Sequence, residues 1–127
     1  MGELSLGVNW IAVAVATIVS FGLGAIWYSP VLFQKPWLEG IGVSADDNDS
    51  AALPMIMQFI GTFLLAWLVG LLAARTALAT TILVGLTIAF LLAAGGLFAR
   101  KSLQAVVIEV AFVAAMLMIM ITTHALI

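Results

Sequence analysis

The sequence predicts an all-α integral membrane protein, a bundle of four transmembrane helices with a short interfacial helix in the first loop. Composition carries the first part of this. Of 127 residues, 65% are hydrophobic and 8% are charged, against roughly 45–50% and about 25% in soluble domains. Pattern carries the second part. The apolar residues gather in four runs, about 8–28, 54–74, 77–98 and 103–126. A spanning helix needs about 20 mostly apolar residues, so each run suffices and residues 1–127 form a single transmembrane domain. Barrel strands alternate apolar and polar positions. These runs do not, and helices are then the way to satisfy backbone groups in lipid.

The charges exclude several function classes. Four basic and six acidic residues leave a net charge of −2. Nucleic-acid binding needs clustered Lys and Arg, and only Arg100 and Lys101 are adjacent. With no cysteine, thiolate zinc sites and iron–sulfur clusters fall away. No cofactor is expected.

The first run follows Met1-Gly2-Glu3-Leu4, which lacks the basic residues of a secretory signal. It is read as a retained span, with Asn9 at its start. Leu6 stands where a myristoylation motif wants Ser or Thr. The interfacial loop, 29–53, has two parts. Ser29 and Pro30 read as N-cap and first residue of a helix along the membrane surface. Phe33, Trp37, Leu38 and Ile41 share its apolar face, Pro36 divides it, and Gly40 and Gly42 end it. Trp10, Trp27, Tyr28 and Trp37 are interface anchors by residue type. The second part, 44–50, is acidic and solvated, with Asp49 or Ser50 capping the second span. Asp46-Asp47-Asn48-Asp49 lacks the glycine of a calcium-hand loop, since position six from Asp47 is Ala52.

The remaining links, Arg75-Thr76 and 99–102, are short and predict antiparallel neighbours. Four spans put both termini on one side. Lys35, Arg100 and Lys101 lie on the other, against Arg75 alone. The positive-inside rule then makes the three-residue side cytoplasmic and both termini periplasmic.

Small residues recur every four positions: Ala12, Ala16, Ser20 and Gly24; Ala66, Gly70 and Ala74; Ala77, Thr81, Gly85, Ala89 and Ala93. Such ladders let backbones approach closely where lipid removes the hydrophobic drive. They serve either packing within one chain or assembly of several.

Asn9-Trp10-Ile11-Ala12-Val13, then Gly24-Ala25-Ile26-Trp27-Tyr28-Ser29-Pro30-Val31-Leu32-Phe33, then Lys35 and Trp37, carry a resemblance, as does Leu97-Phe98 before a basic link and Leu103. Over nearly its whole length the chain resembles a small bacterial membrane-protein family known as domain of unknown function 1761. The resemblance implies four spans, a long first loop and the bacterial inner membrane. It implies no activity.

Few residues offer chemistry. Glu109 is the sole acid within a span, six residues after Leu103, so about 9 Å along the helix. An intramembrane carboxylate is a proton or solute candidate by default. The bland reading is that it stays protonated, reaches the interface or pairs with a base from the loops. Gln58 and Ser20 fall at similar depth and extend it to a polar layer. Met116, Met120 and His124 form one stripe at four-residue spacing. Thioethers with imidazole suit Cu(I), but Met116 and His124 are about 12 Å apart along the axis. The stripe reads as core, with no metal, and His124 as a solvated interfacial residue. No nucleophile, phosphate-loop or His-Glu metal motif is present.

The expectation is a non-enzymatic membrane protein acting through helix association, as a homo-oligomer or small accessory subunit of a membrane complex. Its partners are then the bilayer and other membrane chains. The alternative is an oligomeric small-solute or proton-coupled transporter or channel using Glu109.

Overall fold

The computed structural model describes residues 2–42 and 52–127. The chain is helical: α1 (Gly2–Ser5), α2 (Trp10–Trp27), α3 (Gln34–Ile41), α4 (Ala52–Ala74), α5 (Leu78–Phe98) and α6 (Leu103–Leu126). Four of these, α2, α4, α5 and α6, are long and apolar enough to cross a membrane. The arrangement is compatible with a multi-pass membrane protein. The acidic segment and the proposed Asp49 or Ser50 cap lie outside the described residues.

Helix ends follow local chemistry. Asn9 caps α2, its side-chain oxygen accepting from the Ala12 N–H at 3.1 Å. Ser102 does the same for α6, accepting from the Ala105 N–H at 3.1 Å. Gly42, with φ 75°, ends α3 in the left-handed region. The two tight links each turn through a left-handed non-glycine residue, Thr76 at φ 51° and Arg100 at φ 62°. Such a conformation is uncommon, and for β-branched Thr76 it is strained.

The first loop corrects the sequence reading. The interfacial helix starts at Gln34, not at Ser29 and Pro30. The Ser29 hydroxyl is turned backward, donating to the Ile26 carbonyl at 2.6 Å, so it closes α2 instead of opening α3. Residues 29–33 form turns, with the Phe33 N–H reaching the Trp27 carbonyl at 3.1 Å. Pro36 does not divide α3. It sits in the first turn, where the missing N–H would have had no partner within the helix. Gly40 lies inside α3, not at its end. The short α1 was not anticipated. It rests on α4, whose Trp67 indole N–H donates to the Leu4 carbonyl at 2.7 Å and whose following Arg75 reaches the Glu3 carbonyl at 3.3 Å.

The bundle is organised around α6, which packs against α2, α3, α4 and α5. The core joins Val13 and Ala16 of α2, Ala66 and Val69 of α4, and Phe112, Met116 and Met120 of α6. Most of the small-residue ladders are covered within the chain, although Ala74 is exposed. Ala12, Ala16, Ser20, Ala66 and Gly70 are buried between α2, α4 and α6. Thr81 and Gly85 are buried, and Ala89 and Ala93 half-buried, along α5. Leu117 of α6 fills the place of a Gly85 side chain. Gly24 likewise accepts the Phe112 ring.

The two short links differ in how much contact they bring. Although a short turn joins α4 to α5, the two make little contact with each other. Each is held by another helix: α4 by α2, and α5 by α6. The packing that small residues permit is strongest along those pairs, and α4 and α5 are left with a gap between them.

Gly40 sets how closely α3 lies on α6, because an added Cβ would overlap Ser102 and Ala105. Gly40→Ala should therefore lose about 1–3 kcal/mol of stability through overpacking. Gly61→Ala, which opens onto free space, should be neutral or stabilising by up to about 1 kcal/mol. Thermal unfolding of both variants in one detergent checks the contrast.

Candidate functional site

The buried stripe of α6 runs through Ala105, Glu109, Phe112, Met116 and Met120. Four of these are apolar, and the one carboxylate among them faces inward with only 8% of its residue surface exposed. Desolvating a carboxylate is expensive unless donors meet it. Two do so, both on the same oxygen. Lys101 Nζ donates to Glu109 Oε2 at 2.8 Å, and Trp37 Nε1 donates to it at 2.9 Å. The other oxygen, Oε1, is buried with no hydrogen-bond partner among the described residues.

Three elements converge to make this arrangement. The Lys101 N–H donates to the Gly96 carbonyl at 3.0 Å, closing the α5–α6 link. Lys101 then lies two helical turns before Glu109, and its long side chain extends along α6. The Ser102 N–H donates to the Gly40 carbonyl at 2.8 Å, which ties α3 to the start of α6. That contact brings Trp37 over Glu109. Nearby, the Trp27 indole N–H donates to the Ile108 carbonyl at 3.1 Å. Trp27 and Trp37, read as membrane-interface anchors, thus direct their polar edges at α6. Trp10 stays exposed and packs its ring 5.4 Å from that of Trp67.

Aromatic rings wall the site. Tyr28 lies 4.8 Å from Trp37 and 5.5 Å from Phe112, between ring centroids. Trp27 lies 6.0 Å from Phe112. Beside them is a half-open cavity of about 630 Å³. Its wall takes Phe21 from α2 and Tyr28 just after it, Gln34 and Trp37 from α3, Met55 and Gln58 from α4, Leu92 from α5, and Lys101, Glu109, Phe112 and Val113 around α6. The cavity therefore occupies the gap between α4 and α5, at the α3 end of the bundle.

The predicted polar layer is only partly assembled. Glu109 and Gln58 line the same cavity. Gln58 is otherwise exposed and donates to the Thr62 hydroxyl one turn along α4, at 3.1 Å. Ser20 is fully buried in the helix packing and does not line the cavity. Its hydroxyl oxygen has no partner among the described residues.

The methionine stripe packs as core. Met120 is fully buried, and Met116 Sδ lies 3.8 Å from the Thr62 hydroxyl oxygen, whose proton goes to the Gln58 carbonyl at 2.7 Å. His124 corrects the solvated reading. Its ring is half-buried against α4, with Nε2 3.1 Å from the Ala66 carbonyl oxygen. A smaller cavity of about 300 Å³ adjoins it, between Val69, Thr81 and Ile121.

Sequence spacing carried part of this site. Pairing of Glu109 with a loop base was one of the readings weighed, and Lys101 supplies it. The Trp37 contact spans 72 positions and has no local signal. Removing Lys101 leaves a buried carboxylate facing only one donor. Lys101→Met should therefore destabilise by about 1–3 kcal/mol, and adding Glu109→Gln should recover part of that loss. Thermal unfolding of the two single variants and the double variant measures the coupling.

No curated protein and no solved structure matches this chain. A family model does match, over residues 11–125, and it takes in every side chain of the site. By that match the chain belongs to the family described as Protein of unknown function (DUF1761).

Proposed function

We propose that the chain is a non-enzymatic, multi-pass protein of the bacterial inner membrane that binds a small amphipathic molecule in the gap between α4 and α5. Glu109 is its polar anchor. One observation carries the reading: a half-open cavity of about 630 Å³ has in its wall a buried carboxylate with one oxygen unpartnered among the described residues. Small-molecule sites are typically concave, about 300–1,000 Å³, mostly apolar and marked by a few convergent polar groups. Gln34, Gln58, Lys101 and Glu109 are the polar groups here.

The site favours a binding protein or carrier over a pore within one chain. Past Glu109 the α6 stripe continues through Phe112, Met116 and Met120, which fill the space between the helices. A path across the bilayer then belongs to a homo-oligomer. Association is also the second reading, and α5 favours it. Thr80, Thr87 and Ala94 are exposed at seven-residue spacing on its outer side, a pattern that suits close helix approach in lipid. Most of the ladder residues named from the sequence are buried or half-buried within the chain, and Ala74 is exposed.

The charge distribution supports an orientation. Lys101 lies at the α3 end and Lys35 on α3 itself. Arg75 lies at the opposite end, beside α1. The α3 end is then cytoplasmic and both termini periplasmic.

Purification in mild detergent with native mass measurement tests the binding reading. The expected result is a retained small-molecule adduct that Leu92→Trp, which fills the cavity, removes without loss of helicity. A protein that carries no adduct, and takes up none when lipid or solute is added back, would sink the reading. The same spectrum reports stoichiometry, and a strict monomer without a partner speaks against association. A reporter fused to the C-terminus tests orientation: activity confined to the periplasm is expected, and cytoplasmic activity refutes it.

A further inference from the structure

The cavity's two charged groups already face each other. Lys101 and Glu109 are 2.8 Å apart, so the wall presents a dipole and not a net charge. Both ends have capacity left. Glu109 Oε1 has no partner among the described residues. The Lys101 ammonium has three N–H donors, and its side chain is 31% exposed. A simple cation placed here meets Lys101, and a simple anion meets Glu109. A zwitterion laid antiparallel to the wall dipole pairs both ends and keeps the site neutral, which matters where the dielectric is low.

The rings refine the positive end. Tyr28, Trp37 and Phe112 stand around the carboxylate, and aromatic faces attract a desolvated ammonium. Yet Glu109 Oε1, buried beside Gly96 without a partner among the described residues, is a hydrogen-bond acceptor that a turn of the side chain brings to the cavity. An ammonium bearing N–H groups satisfies it, whereas a trimethylammonium has no hydrogen to donate. The positive end is therefore a primary ammonium.

The surroundings set the rest of the molecule. The gap lies between two helices long and apolar enough to span a membrane, and α4 and α5 barely touch. Met55 and Leu92 stand on its two sides, with Phe21 and Val113 in its wall. Glu109 lies about 9 Å from the start of α6, a helix about 36 Å long. It therefore sits about 6 Å inside the edge of a hydrocarbon core about 30 Å thick, and a headgroup has to be drawn in from the surface to meet it. The occupant enters sideways from the bilayer with its chains trailing between α4 and α5.

We propose that this cavity is a site for a phospholipid with a primary-ammonium zwitterionic headgroup, its ammonium on Glu109 and its phosphate on Lys101. The inference rests on the gap being a binding site, as proposed above. It names which molecule the site selects.

The test uses the full chain, delipidated in mild detergent. Equal amounts of phosphatidylethanolamine, phosphatidylcholine and phosphatidylglycerol with identical acyl chains are added together, and bound species are counted by native mass measurement. Phosphatidylethanolamine should be retained about tenfold over each of the others, the size expected for one hydrogen bond to a charged group. Glu109→Gln should abolish the preference. If that variant fails to fold, the ranking measured on the unaltered chain still decides. Equal retention of the three lipids, or a preference for phosphatidylglycerol or phosphatidylcholine, overturns the headgroup assignment while leaving a lipid site. Retention of no lipid at all overturns the binding reading itself. Glycerophosphoethanolamine is then added in competition. Displacement of the lipid at equal concentration overturns the lipid assignment and points to a soluble zwitterion.

Discussion

A carboxylate inside a bundle of apolar helices has to be met by donors, and Glu109 is met on one oxygen by Lys101 and Trp37. Much of the surrounding geometry follows from that requirement. Lys101 reaches Glu109 from the sharp link between α5 and α6. Trp37 reaches it because α3 lies on the start of α6, in contact through the backbone of Gly40 and Ser102. The two contacts fasten a loop helix and a helix link to one point on the central helix. The second oxygen remains buried and unpartnered among the described residues. Native proteins satisfy most buried polar atoms, and it is this exception at the edge of a cavity that supports the binding site proposed above.

The cavity itself has a packing origin. Small residues draw helices together, and in this chain they join α2 to α4 and α5 to α6. Gly85 admits Leu117, while Ala66 and Gly70 bring α4 close to α2 and α6. Nothing comparable draws α4 to α5, and the turn between them is too short to impose contact along their length. A cavity of about 630 Å³ lies at the α3 end, where aromatic side chains from α2, α3 and α6 line it. Packing strength elsewhere thus produces the opening, and Glu109 gives it a polar floor.

How much of this was legible before the fold was known varies residue by residue. The four spans were legible because lipid demands long apolar runs, and Asn9 was legible as a helix start because capping is a local interaction. Glu109 stood out because a lone acid in a span is rare. The start of α3 was misread. Ser29 and Pro30 carry a valid helix-start signal, but the serine hydroxyl found a nearer carbonyl in Ile26. Gln58 and Ser20 share a depth with Glu109, yet depth leaves rotation about the helix axis open, and Ser20 turned into the packing. His124 was read as solvated from its place near the chain end, while α4 supplied it a carbonyl across 58 positions.

Composition and local pattern by themselves determined that this is a helical chain with four membrane-length segments, where most of them begin and end, and which single acid they contain. These follow from nearest-neighbour chemistry and from the length of an apolar run. The tertiary structure alone decided which helices touch, and that decides function. Interhelical contact depends on rotation and close approach, which no run of neighbouring residues encodes. Only the fold sets Trp37 and Lys101 on one oxygen of Glu109, leaves the other facing no protein donor among the described residues, and opens a cavity beside it.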